Sequence, residues 1–439
     1  MSLTEAPTSQ EEVETRQAPS RSLGAMMRDS EVDVRMMGML SLLVALWIGF
    51  NAASGGTFLT ARNLWNLSVQ FSPVAIMATG MVIIIVSRNI DLSVGSMLGF
   101  AGMFMALFQA EWLPGVIGYD QWYTWIVVLA AGLVLGGLIG LLQGAITAYV
   151  SVPSFIVTLG GLLVWRGAAW ALASGRTIAP MDKTFQLLGG GSRGAIGGTG
   201  SWILGGLAAL GIVYYFINDR RKRSRFVLKQ RPLWATVAGA VLGAGAVVGA
   251  VWVLNSYYLP DNLARQFAAE RGIEYTEGMQ IPLGISYPVL IAVGVMLVMA
   301  FLANNRKFGR YVYSIGGNPE AAELGGINTR WTIVKTFVVM GVLVGVAAAV
   351  SIARLNAATS GLGTTAELYV IAAAVIGGTS FTGGIGTVSG AVLGALIMQS
   401  LQSGMVLMRV DAPMQDIVVG IVLVIAVAVD VTVRRRAER

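Results

Sequence analysis

The chain has no cysteine and no histidine. Thiolate and imidazole metal ligands, thiol redox chemistry and the commonest general base are therefore missing together. Disulfides cannot brace the fold, and cysteine usage says nothing about compartment. Charge is scarce as well: 12% of the residues are Asp, Glu, Lys or Arg, against roughly 25% in soluble domains. No phosphate-loop pattern with Lys-Ser or Lys-Thr after its glycines occurs anywhere, so ATP binding by that route is excluded. No cleavable signal peptide is expected, because the N-terminal stretch lacks a short apolar core and a small-residue cleavage site.

What is abundant is apolar surface. Of 439 residues, 55% are apolar. A soluble fold of this size cannot hide that much, but a bilayer accepts it. The net charge of +7 sits in short basic clusters between apolar runs. There it would meet a membrane surface, and no nucleic-acid partner is expected. Residues 1–35 read as a disordered cytoplasmic tail.

A helix needs roughly 17–25 apolar residues to cross a bilayer. Candidate runs lie near 36–53, 66–87, 92–110, 124–149, 155–174, 201–217, 233–254, 285–303, 332–354, 367–380, 385–408 and 414–431. An all-α, polytopic membrane protein of about 12 spans is expected. The 367–380 run is too short to cross alone, and the glycines after it point to a broken or re-entrant segment, which membranes tolerate where protein or a water-filled cavity covers it. Pro73 predicts a kink in the second run.

Orientation follows from the basic residues of short loops. Segment 219–231 carries Arg220, Arg221, Lys222, Arg223, Arg225, Lys229 and Arg231 and should be cytoplasmic. Counting spans from it places both termini inside, with Arg434, Arg435 and Arg436, and the loop 304–331 as well. It places 111–123, which has no Lys or Arg, and 255–284 outside.

Small residues three or four apart, such as Gly132, Gly136, Gly140 and Gly144, let membrane helices approach closely. There is also a faint inverted symmetry, of a kind common in transporters. Asp91 and Glu367 each open a span, as do Pro153 and Pro413, in each case from opposite sides.

Three motifs stand out. The first is the polar patch Ser87 to Ser96, where Asp91 can cap or charge-match a helix start while the patch lines a hydrophilic path. The second is Gly316 to Asn328. Asn318 is a good N-cap, Pro319 suits the first helical position, Glu320 and Glu323 fall in the first turn, and Gly325 and Gly326 end it. So short a helix is not stable alone; it needs its own bundle or a cytoplasmic partner to lie on. The third is Gly377 to Thr387, a tight re-entrant turn. Of the charges within or at the ends of spans, Arg166, Lys335 and Arg354, the last two can snorkel to an interface. No ladder of buried acids runs along a span, which favours an energy source outside the chain.

These strings, Ile90 to Ser96, Ser154 to Gly160, Gly175 to Ile178, Phe308 to Tyr311, Gly316 to Ala322 and Ala372 to Ser380, resemble in order the ribose/xylose-type permeases of bacterial ABC sugar importers. An extra two-span block with a basic loop resembles the longer D-xylose branch. The resemblance implies a homodimer embedded in membrane lipid, a separate ABC ATPase subunit and an extracytoplasmic sugar-binding protein, with no cofactor of its own. It implies that the second motif, Gly317, Asn318, Pro319, Glu320, Ala321, Ala322, Glu323 and Gly325, is the coupling helix. Asn89, Asp91, Ser93, Ser96, Thr158, Thr379 and Ser380 are the expected translocation-path residues.

The expected division is a permease core at 36–184 and 281–431, an insertion at 185–280 and a basic tail at 432–439. Import of a monosaccharide, a pentose such as D-xylose first, by alternating access is the expected function. A secondary transporter and a polytopic membrane enzyme are the rivals, and the missing intramembrane acids and catalytic residues weigh against them.

Overall fold

The computed structural model describes residues 34–118, 121–226, 232–270, 272 and 274–437. The tail at 1–33, together with Lys229, Arg231 and Arg271, lies outside them. Fifteen helices carry the described architecture: α1 (Val34–Ala53), α2 (Ala61–Val86), α3 (Val94–Leu107), α4 (Thr124–Tyr149), α5 (Ser154–Ala173), α6 (Gly197–Arg225), α7 (Leu233–Asn255), α8 (Asp261–Glu270), α9 (Tyr287–Asn305), α10 (Lys307–Gly317), α11 (Pro319–Leu324), α12 (Thr329–Leu355), α13 (Ala366–Ile376), α14 (Val388–Leu407) and α15 (Ala412–Ala437). Among the described residues ten helical segments are long and apolar enough to cross a membrane, with α13 and α15 contributing shorter apolar stretches. The twelve apolar runs of the sequence are all accounted for, and the chain is a polytopic helical membrane protein.

Two helices form the centre. The described residues of α2 and α12 are mostly buried, where other spans keep an outward apolar face. They run antiparallel: α2 ends, and α12 begins, at the end of the bundle that carries α11. Each is followed by a non-helical stretch, 87–93 after α2 and 356–365 after α12, and then by a helix that starts within the bundle, α3 or α13. The pairings repeat as well. α12 packs on α4 as α2 packs on α14, and α5 lies on α3 as α15 lies on α13. The symmetry hinted at by Asp91 and Glu367 thus corresponds to two four-helix units of opposite direction.

Glycine permits the closest of these contacts. A Cβ at Gly136 or Gly140 would overlap the carbonyl of Gly341 or Phe337, so α4 and α12 touch backbone to backbone. Such approach stabilises helices in lipid, where no hydrophobic force draws them together.

α6 and α7 pack on each other and touch the rest of the chain at one end. There Val251 and Leu254 meet Trp65 and Val69 of α2, Trp65 Nε1 donates to the Gly284 carbonyl at 2.8 Å, and the Ile285 amide donates to Ser201 Oγ at 2.8 Å. The expected loop at 219–231 is shorter than its basic run suggests, since Arg220 to Arg225 complete α6. Cations are favoured in the last turn of a helix by its dipole, so this segment extends the helix instead of ending it. The helix α15 likewise carries its backbone through the basic residues to Ala437.

Candidate functional site

Helix α11 forms as its sequence dictates. Asn318 is extended, and its Oδ1 accepts the Ala321 N–H at 3.0 Å. Pro319 at the first position has no N–H to leave unsatisfied. The Gly325 amide donates to Ala321 O at 3.0 Å and Gly326 turns away at φ +79°. Of the two alanines, Ala322 is buried against the bundle, whereas Ala321, Glu320 and Glu323 are exposed. Leu324 is 90% exposed, which no reading of the motif anticipated. α11 therefore presents acids, one small residue and one bare leucine at the tip of the bundle.

The helix is mounted on α10, an amphipathic element that buries Gly309, Val312, Ile315 and Gly316. Arg88, at the end of α2, adopts a left-handed backbone (φ 62°) and clamps the far end of α10: its Nε donates to Gly316 O and its Nη2 to Gly317 O, both at 2.8 Å. The turn 377–387 closes the assembly. The Gly384 amide donates to Val86 O at 2.9 Å, and Tyr313 Oη donates to Gly386 O at 2.7 Å. A Cβ on Gly316 would overlap Val86 O and the Gly384 amide, so this junction requires glycine. Three motifs distant in sequence thus meet at one end of the bundle. Arg88, which holds two of them together, was not among the expected site residues, because its partners lie more than two hundred positions away.

The expected path residues divide into two groups. Asn89, Asp91, Ser93, Ser96 and Thr158 are all buried in or against the 87–96 stretch. Asp91 Oδ1 accepts from the Ser93 amide at 2.9 Å and from its Oγ at 2.6 Å, forming an Asx turn ahead of α3 and not a side-chain cap on it. Gln143 Nε2 of α4 donates to Ser93 Oγ at 3.0 Å, and Ser96 Oγ donates to Ser93 O at 2.8 Å. Asn89 Nδ2 bonds Ser87 O at 2.9 Å, and Ser154 and Thr158 of α5 hold the backbone of Ile90 at 3.2 and 3.3 Å. Asp91 lies between two spans, and its complete burial raises its carboxyl to about 6, against the lowering pull of the Ser93 bonds. Thr379 and Ser380 belong instead to the 377–387 turn. Ser380 Oγ is 2.7 Å from Thr382 Oγ1, and Thr379 Oγ1 is buried without a hydrogen-bond partner.

At the opposite end of the bundle a cleft of about 490 Å³ is lined by the amides of Asn66, Gln70, Gln186, Gln266 and Asn356 and by the cations Lys183, Arg193 and Arg354. No Asp or Glu is in its lining. Among the described residues no cluster of acids could hold a metal ion.

A helical bundle with ten candidate spans among its described residues and two paired non-helical breaks is the architecture of a polytopic membrane protein, and similarity to known permeases gives its class. The chain belongs to the family described as branched-chain amino acid transport system / permease component, which matches residues 63–186 and 258–427. The unmatched stretch between them, 187–257, contains all of α6 and α7. The xylose transport system permease protein of Haemophilus influenzae is 37% identical over 94% of this chain and 100% of its own length. The ribose import permease protein of Escherichia coli K12 is 29% identical over 89% of this chain and 92% of its own, and the D-allose permease of that strain 26% identical over 89% of each. No solved structure matches the chain. The chain is a transport subunit, not an enzyme.

Proposed function

We propose that this permease imports a monosaccharide, a pentose such as D-xylose first, driven by ATP hydrolysis on a separate cytoplasmic ABC ATPase subunit. The observation that carries the reading is the α11 assembly. A six-residue helix too short to stand alone is capped, mounted and left with an exposed outer face carrying Leu324. A partner's groove would cover that face. α11 is then the coupling helix, and Arg88 passes its movement to the Asp91 network, while the 377–387 turn passes it to α13 and α14. Asn89, Asp91, Ser93, Ser96 and Thr158 on one side, and Thr379 and Ser380 on the other, border the inner end of the path.

Both termini and the α11 end face the cytoplasm, because the basic residues gather there. The permease works as a homodimer, and a sugar-binding protein docks on the opposite end. Relatives named for xylose, ribose and allose support the sugar class, with xylose named in matches at 36–37% identity. The test is co-purification. The permease should retain an ATPase encoded beside it, and the complex should hydrolyse ATP faster with xylose-loaded binding protein. A permease that imports xylose in vesicles from an ion gradient alone would overturn the reading.

A further inference from the structure

Two charged side chains inside the bundle take no part in the α11 assembly or the Asp91 network. Arg166 sits mid-way along α5, and Glu367 is in the first turn of α13. A charge within a span is costly and persists where it has a partner or a task. Arg166 Nη1 donates to the carbonyls of Ser360 at 3.2 Å and Leu362 at 2.8 Å, which ties the 356–365 loop to α5. A guanidinium offers five N–H donors. Among the described residues the others of Arg166 make no hydrogen bond.

Glu367 Oε2 is buried with no hydrogen-bond partner. The charge of Arg166 reaches this carboxylate, yet among the described residues no ion pair joins the two. Both side chains lie against α3. Gly95 faces the acid: a Cβ there would overlap Glu367 Oε2 and the Gly363 carbonyl. Gly99 faces the base: a Cβ there would stand 3.4 Å from Arg166 Nη1 and 2.6 Å from Leu362 O. Four residues of helix rise about 6 Å. Acid and base thus lie along one glycine strip, a turn apart, each with unspent hydrogen-bonding capacity.

A third unspent group is adjacent in sequence. Trp165 stacks on Phe100 with ring centroids 5.4 Å apart, and its Nε1 is also buried without a partner. The region is not sealed in the core. Arg166 and Glu367 are both partly exposed, and α5 turns Leu163, Val164 and Trp170 outward beside them.

A ligand for this set must donate to a carboxylate and accept from a guanidinium. It should carry no net charge, because the two side chains already balance. Neighbouring hydroxyls on a monosaccharide do both, whereas a sugar acid would set its carboxylate against Glu367. We propose that Arg166 and Glu367 are a sugar-contacting pair on the translocation route, with the Trp165 indole as a further donor. The proposal rests on the sugar-importer reading above.

The test uses the complete transporter in proteoliposomes, with Glu367→Gln and Arg166→Gln compared with wild type. ATP hydrolysis stimulated by loaded binding protein should stay within about twofold. Xylose moved per ATP should fall by about tenfold or more, the loss expected for one charge-assisted contact. A wild-type ratio of sugar to ATP in both variants overturns the pair's role and leaves the importer reading intact. No ATP-dependent uptake by the wild type counts against the importer reading itself. Should either substitution disturb the 356–365 loop and prevent assembly, saturation-transfer NMR of the wild-type permease in nanodiscs decides. Transfer to xylose, competed by a second neutral pentose and not by xylonate, is expected. No transfer, or equal competition by xylonate, overturns the proposal.

Discussion

Arg88 holds in place what three separate stretches of sequence bring together. Its two bonds to Gly316 and Gly317 join the end of α2 to the mount of α11. Arg88→Ala should leave insertion in the membrane unchanged and lower loaded-binding-protein-stimulated ATP hydrolysis by about tenfold, since each charge-assisted bond is worth about 1.5–3 kcal/mol. Full stimulation in that variant would place the coupling elsewhere. At Asp91 the prediction concerns pH. Burial raises its carboxyl to about 6 from 3.8, so the folded chain holds the proton more tightly than the unfolded one. Between those two values the folded state binds more protons, and stability falls as pH rises. Thermal unfolding in detergent should show a midpoint declining from pH 4 to pH 6, and Asp91→Asn should remove that part of the slope. At Gly140 a side chain has nowhere to go. Gly140→Leu should destabilise the bundle by at least about 1–3 kcal/mol, the usual cost of overpacking, read as a lower unfolding midpoint.

The elements show which features were legible in the sequence. α11 was readable residue by residue, because N-cap, first-turn proline and stop glycines are local chemistry. The broken span at 367–380 was readable too, being short and followed by glycines, and it is α13 with its turn. Two things were not. Facing is set by tertiary contact, so the sequence could not show that Ala322 turns inward while Leu324 stands free. Nor could it show that the expected path residues form two clusters, because Gln143 and Ser154 join the first from other helices. The outward face yields a paired prediction. Ala321→Trp and Leu324→Asp should both spare insertion and thermal stability, since exposed substitutions usually cost within about 0.5 kcal/mol. Both should nevertheless abolish co-purification with the ATPase. Ala322→Trp, by contrast, should destabilise the end of the bundle itself. Normal transport by the Ala321 and Leu324 variants would make α11 a mere loop element.

For the whole molecule, two four-helix units of opposite direction meet along α2 and α12, and α6 and α7 stand outside them. Composition announced the membrane and twelve apolar runs announced the helices, but the inverted pairing needed the packing of α4 on α12 and α2 on α14 to become visible. Orientation can be checked on the cysteine-free background. Ser224→Cys, at the basic end of α6, should resist an impermeant thiol reagent added to intact cells, while Ser256→Cys, at the other end of α7, should react. Labelling of Ser224→Cys from outside would invert the topology. The central claim is that this chain is the passive membrane path of an ATP-driven sugar importer, and one measurement addresses it directly. Permease, neighbouring ATPase and binding protein are reconstituted in liposomes, and entry of labelled xylose is followed with ATP on the ATPase side. Uptake that requires all three proteins and ATP, and that is lost with the permease carrying Ala321→Trp, is the predicted result. Xylose entry through the permease alone, or no entry with all three present, would contradict it.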